Sequence, residues 1–133
     1  MSCNYTLLDN LSCESFEVWG LYEKDFVFDA NDHNVTASMD IFFSDPFPSS
    51  SNTVNMGNGT WEFVGDGYRF ECESNVILNA EGSTIKYSST MEAFYFYGGD
   101  QTYNNIWITD STGGVPVEFT GDNTFNDFKA EAG

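Results

Sequence analysis

From about residue 26 onward the chain alternates apolar and polar side chains in short bursts. "DFVFD", "VTASMDIFF", "TWEFVG", "YRFECE", "VILNA", "TIKYSS", "AFYFYG", "NNIWITD", "VPVEFTG" and "FNDFKAEA" carry this period of two, and Asn, Asp, Gly and Ser stand between them. A period of two belongs to strands, whose side chains point to opposite faces in turn. Helical spacing is confined to "SCESFEVWGLYEKDF", where Phe16, Trp19 and Tyr22 recur every third residue; it predicts one short N-terminal helix despite Gly20. The Pro-, Ser-, Asn- and Gly-rich stretch 44–60 is the best internal boundary. It divides the chain into an N-terminal arm or small β subdomain, 1–54, and a repeat region, 55–133.

Within the repeat region "WEFVGD" (61–66), "FYFYGG" (94–99) and "VEFTGD" (117–122) share an apolar residue, a variable one, Phe, another variable one and Gly. They start 33 and 23 residues apart. An aromatic follows each (Tyr68, Tyr103, Phe125), and then a further strand, which aligns "NNIWITD" with "FNDFKAE". Repeats in this range signal stacked units that cannot bury an apolar face alone. Stacked in parallel, Trp61 with Phe63, Phe94 with Phe96, and Val117 with Phe119 would face inward as a ladder of about 4.8 Å per rung. Gly65, Gly98 and Gly121 are expected to turn the corners with positive φ, and Asn and Asp to bond their own backbone there.

The run "STIKYSSTMEAFYFYGGDQTYNNIWITDSTGGVPVEFTGDNTFNDFKA" resembles the rungs of right-handed parallel β-helices, the coil of pectate-lyase-like proteins and phage tailspikes. The resemblance covers roughly residues 55–133. It implies an all-β fold, a short parallel β-solenoid of about three rungs carrying the N-terminal part at one end. Ten short strands at regular spacing also suit an antiparallel jelly-roll sandwich, which is the alternative. The resemblance further leans toward phage virions, where such modules are often homotrimers.

Charge narrows the partners. Four basic residues face 21 acidic ones, a net charge of −17. Nucleic acid and an anionic membrane surface are disfavoured, since both are recognised through Lys and Arg. The charge favours docking on a basic partner surface. Aromatics at 17% require a folded core. The opening "MSCNYTLLDNLSCES" has neither a positive n-region nor an apolar h-region, so synthesis in the cytoplasm is expected. Cys3, Cys13 and Cys72 are odd in number and lack a CxxC pair, which points to buried thiols rather than a disulfide or metal site.

Candidate chemistry is sparse. His33, in "DANDHN", is the chain's one histidine and reads as part of a polar turn. Asp29, Asn31, Asp32 and His33 faintly resemble an EF-hand loop but lack its central Gly and distal Glu, so no metal or other cofactor is expected. Glu62 and Glu118 take the same outward position in two repeat copies. Two rungs would set them about 9.6 Å apart, within the range of an inverting glycosidase pair. The scarcity of Arg and Lys argues against a sugar-cleaving groove, and the expectation is a protein with no catalytic residues.

Tyr95, Tyr97 and Trp107 remain as outward rings able to contact a protein or a glycan. The function expected is that of a virion structural protein, decorating or cementing a capsid or forming part of a surface fibre. Its partners would be copies of itself, as a homotrimer, and a major capsid or other virion protein. A carbohydrate-binding module is the second reading and a glycan-cleaving enzyme the third. The expected location is the virion surface, after synthesis in the host cytoplasm.

Overall fold

The computed structural model describes residues 3–20, 22, 24–47, 50–64, 69–88, 93–109 and 116–131. Within them the chain winds through repeated coils of three strands. The first coil holds β1 (Cys3–Thr6), β2 (Leu11–Cys13) and β3 (Phe16–Trp19). The second holds β4 (Phe26–Asp29), β5 (Val35–Ala37) and β6 (Asp40–Ser44), and the third β7 (Asn52–Asn55), β8 (Thr60–Phe63) and β9 (Arg69–Cys72). The fourth holds β10 (Ile77–Asn79), β11 (Thr84–Tyr87) and β12 (Phe94–Tyr97); β13 (Thr102–Ile108), β14 (Val117–Thr120) and β15 (Thr124–Ala130) complete the stack.

Each strand pairs with its counterpart one coil away, giving sheet A (β1-β4-β7-β10), sheet B (β2-β5-β8-β11-β13-β15) and sheet C (β3-β6-β9-β12-β14). Every pairing is parallel. The fold is thus an all-β parallel solenoid of about five turns, which excludes the antiparallel sandwich and lengthens the three rungs expected. The ladders β4–β7, β5–β8 and β6–β9 cross the stretch read as a boundary, and position 54/55 lies inside β7.

No helix forms among the described residues. In place of the helix expected around residues 12–26 stands β3, whose Phe16 and Val18 pair with Ile41 and Phe43 of β6. A row of unpaired β6 groups and an aromatic, β-branched sequence outweigh a weak three-residue spacing.

The interior is a ladder of rings. Phe43, Phe70, Phe96 and Phe119 stack coil on coil with centroids 5.6, 4.9 and 5.3 Å apart. Trp61 is fully buried, meets Phe16, Phe28 and Phe43 edge-on, and donates its indole N–H to the Met56 carbonyl at 3.1 Å. Burying each such side chain stabilises the fold by roughly 1.5–3 kcal/mol. Trp61, Phe63, Phe94, Phe96, Ile106 and Ile108 all face inward as expected, while Val117 and Phe119 in the last turn are half-buried.

Corners are held by asparagine and glycine. The Asn10 side-chain oxygen accepts the Asn34 N–H, and that of Asn34 accepts the Thr60 N–H, both at 2.8 Å, tying one coil to the next. At the "FYFYGGD" corner the positive φ falls on Gly99 (60°) and Asp100 (58°), not on Gly98 as expected. Gly98 instead leaves room for its neighbours: a Cβ there would lie 2.2 Å from Asn123 Oδ1 and 2.6 Å from Phe96 Cε1, and those side chains would have to shift. Gly121 does take φ 100°. Gly65 and Tyr68 lie outside the described residues.

Candidate functional site

Because alternate residues of each strand leave the core, sheets B and C each present an outer face built of columns one coil apart. On sheet B one column runs Thr36, Glu62, Lys86, Trp107, Lys129. Lys86 Nζ lies 2.8 Å from Glu62 Oε1 and 5.0 Å from the centroid of the Trp107 ring. From the next coil Lys129 Nζ sits 4.3 Å from the same centroid and 2.5 Å from Glu131 Oε1. The half-buried indole is flanked by two ammonium groups of its own chain, an arrangement worth about 0.5–1 kcal/mol per cation at exposed sites.

Glu62 is tuned by this column. Partial burial pushes its carboxyl up, but hydrogen bonds from Lys86 and Ser88 and the Lys86 charge prevail, so the net displacement is downward. The Glu131 carboxyl is also held low, chiefly by the Lys129 hydrogen bond.

Sheet C presents different chemistry. One column reads Glu17, Phe42, Glu71, Tyr97, Thr120, and its neighbour Asp40, Arg69, Tyr95, Glu118. Arg69 lies 5.7 Å from the Phe42 centroid, 3.4 Å from Asp40 Oδ2 and 3.3 Å from Glu71 Oε2. Tyr95 and Tyr97 stand parallel, with centroids 6.3 Å apart and planes 6° from coplanar in direction. Trp19, half exposed, packs edge-on against Phe42 at 5.5 Å and donates its indole N–H to Glu17 at 2.8 Å. Beside Tyr97 a groove of about 630 Å³ opens, lined in part by Glu71, Glu73 and Asp100.

The three rings singled out in the sequence all point outward, but not together: Tyr95 and Tyr97 are on sheet C, and Trp107 is on sheet B beneath lysines. Glu62 and Glu118 are likewise separated. Glu62 belongs to β8 in sheet B, where Trp61 pairs with Val35 and Ile85, whereas Glu118 belongs to β14 in sheet C beside Tyr95. The motif "WEFVGD" therefore has the strand pattern of the other two copies but occupies a different sheet, and the expected carboxylate pair is not assembled.

His33 sits in the turn between β4 and β5. Asp29 accepts the Asn31 N–H, and Asp32 Oδ1 accepts both the backbone and side-chain N–H of Asn58 at 2.8 Å, so these oxygens serve the corner. Among the described residues no group of three His, Cys, Asp or Glu is gathered as for a metal. All three cysteines are free; Cys72 is buried, and desolvation pushes its thiol up to about 12.

The cationic partners of the rings escaped sequence reading. A signal for them exists: "TIKY", "NIWI" and "DFKA" share an apolar–variable–apolar pattern, and their central residues are Lys86, Trp107 and Lys129. No family model matches the chain, and neither does a curated protein or a solved structure at a significant level.

Proposed function

We propose that this chain is a virion structural protein, a capsid-decorating, cementing or surface-fibre component that works by binding and not by catalysis. The carrying observation is the open first coil. Strands β1, β2 and β3 each lie at the edge of their sheet, and Tyr5, Leu8, Trp19 and Tyr22 stand exposed at or near them. A mostly apolar hollow of about 280 Å³, lined by Tyr5, Phe16, Val18, Phe26 and Phe28 with Glu17 beside them, opens at that end. Unpaired strand edges beside apolar side chains favour association, and a trimer of copies would cover them. The net charge of −17 per chain directs the assembled protein toward a basic particle surface.

Sedimentation equilibrium and protein mass spectrometry of purified virus particles test this reading together. A stable trimer and recovery of the chain from particles are expected. A monodisperse monomer at micromolar concentration would remove the trimer, and absence of the chain from purified particles would remove the virion assignment. One observation favours the second reading, a carbohydrate-binding module: the parallel rings of Tyr95 and Tyr97 offer stacking surface to a sugar. Retention on a glycan array, lost in Tyr95→Ala, would select it.

A further inference from the structure

The chain has only four basic residues, and three of them lie over outward rings: Arg69 over Phe42, and Lys86 and Lys129 over Trp107. The Arg69 position has a definite composition. A guanidinium rests on an aromatic face, with a carboxylate on each side, Asp40 and Glu71. One coil further along sheet C, Tyr95 stands in register between Arg69 on one side and Glu118 on the other. Tyr97 is in register with Glu71, so each ring has a carboxylate one strand away, about 4.8 Å along the hydrogen-bonding direction; Glu71 is already paired with Arg69, whereas among the described residues no ion pair reaches Glu118. Trp19, bonded to Glu17, adds a third ring toward the first coil, and the acidic groove with Glu73 and Asp100 adjoins Tyr97. Among the described residues no Lys or Arg lies over Tyr95, Tyr97 or Trp19.

We infer that the outer face of sheet C is a docking surface for an arginine-bearing segment of a partner protein. Its guanidinium groups would lie against Tyr95 and Tyr97 and pair with Glu118 and with Glu73 and Asp100 of the adjoining groove, repeating between chains what Arg69 does within one. Arginine suits the site better than lysine, because its planar, weakly hydrated group both stacks on rings and bonds carboxylates bidentately. Charge complementarity selects this occupant: the acids of this face, on a chain of net charge −17, repel anionic ligands and favour a cationic one. The inference rests on the proposed role in docking to a basic partner but commits to one face and one chemistry.

The test is calorimetric titration of the full chain with a synthetic decapeptide alternating arginine and glycine, in parallel with its lysine counterpart. Saturable binding is expected, stronger for arginine. The double variant Tyr95→Leu, Tyr97→Leu should weaken it at least tenfold, and Glu118→Gln should weaken it severalfold. Asp127→Asn, an equal charge change on sheet B, should leave it unchanged. Equal affinity in the tyrosine variant would reduce the effect to bulk charge and overturn the inference, as would absence of binding at low salt. A folded double variant is verified by an unchanged far-ultraviolet spectrum; the milder Tyr95→Phe, which keeps the ring, should retain most of the affinity. If the chain proves absent from virus particles yet binds the peptide through these tyrosines, the inference stands without the virion role. If it is a particle component whose attachment ignores the tyrosine variant, the reverse holds.

Discussion

On the outer face of sheet B the indole of Trp107 lies between two lysines, while on the outer face of sheet C Tyr95 stands in register between Arg69 and Glu118, Tyr97 is in register with Glu71, and among the described residues no cation lies over either ring. Both faces arise from the same alternation on the same stack of coils, so geometry does not distinguish them. What differs is where the chain spends its few cations. Two of four are placed on sheet B, and their counter-charges Glu62 and Glu131 close that column. Sheet C holds one, Arg69, which takes Asp40 and Glu71 and leaves Glu118, in register with Tyr95, without an ion pair among the described residues. An outward aromatic on a solenoid is therefore not by itself a contact site; its neighbours one coil away decide.

The most severe way to break the comparison is to remove what both faces share. Trp61 is fully buried among Phe16, Phe28 and Phe43, and Trp61→Ala should lower stability by about 3–5 kcal/mol, read by urea denaturation. A loss below about 1 kcal/mol would mean that the ring ladder is not the core of the fold.

A smaller effect separates the faces by pH. The folded carboxyl of Glu62 is held below its ordinary range, so its ion pair adds stability that is complete above the unfolded value and is lost as pH falls through the folded one. Melting temperature should thus drop on acidification from neutral toward pH 3. In Glu62→Gln that drop should be shallower, by an amount equivalent to about 1 kcal/mol or less for a partly exposed pair. An identical pH profile would show that the Lys86 contact does not form in solution.

The mildest perturbation is Lys129→Met. Stability should change by less than about 1 kcal/mol, but acrylamide should quench the Trp107 emission more readily once one flanking cation is gone. The other two tryptophans complicate the reading only slightly, because Trp61 is buried and Trp19, half exposed, is unaffected by the change.

Much of the fold was legible because the pattern of two survives in nearly every strand. The copies at 94 and 117 pair in register, Phe94 with Val117, as their spacing of 23 residues implied. The copy at 61 misled because an apolar–variable–Phe–variable–Gly burst says that a strand turns a corner, not which of three sheets it belongs to. The first coil was illegible for a related reason: its strands are short, three or four residues in β1 to β3, too brief to outcompete the apparent helical spacing of Phe16, Trp19 and Tyr22. The outward direction of Tyr95, Tyr97 and Trp107 followed from alternation alone. Their separation onto two faces depends on coil register, which long-range pairing sets and local pattern does not.

The contrast between the two faces is tested most directly by aromatic carbon–proton and indole nitrogen–proton NMR during titration with the arginine–glycine decapeptide. Progressive, saturable shifts of the Tyr95 and Tyr97 rings and the Trp19 indole are expected, with the Trp107 indole unmoved between its lysines. Shifts of Trp107 as large as those of Tyr95 and Tyr97, or shifts spread over both faces alike, would contradict that contrast.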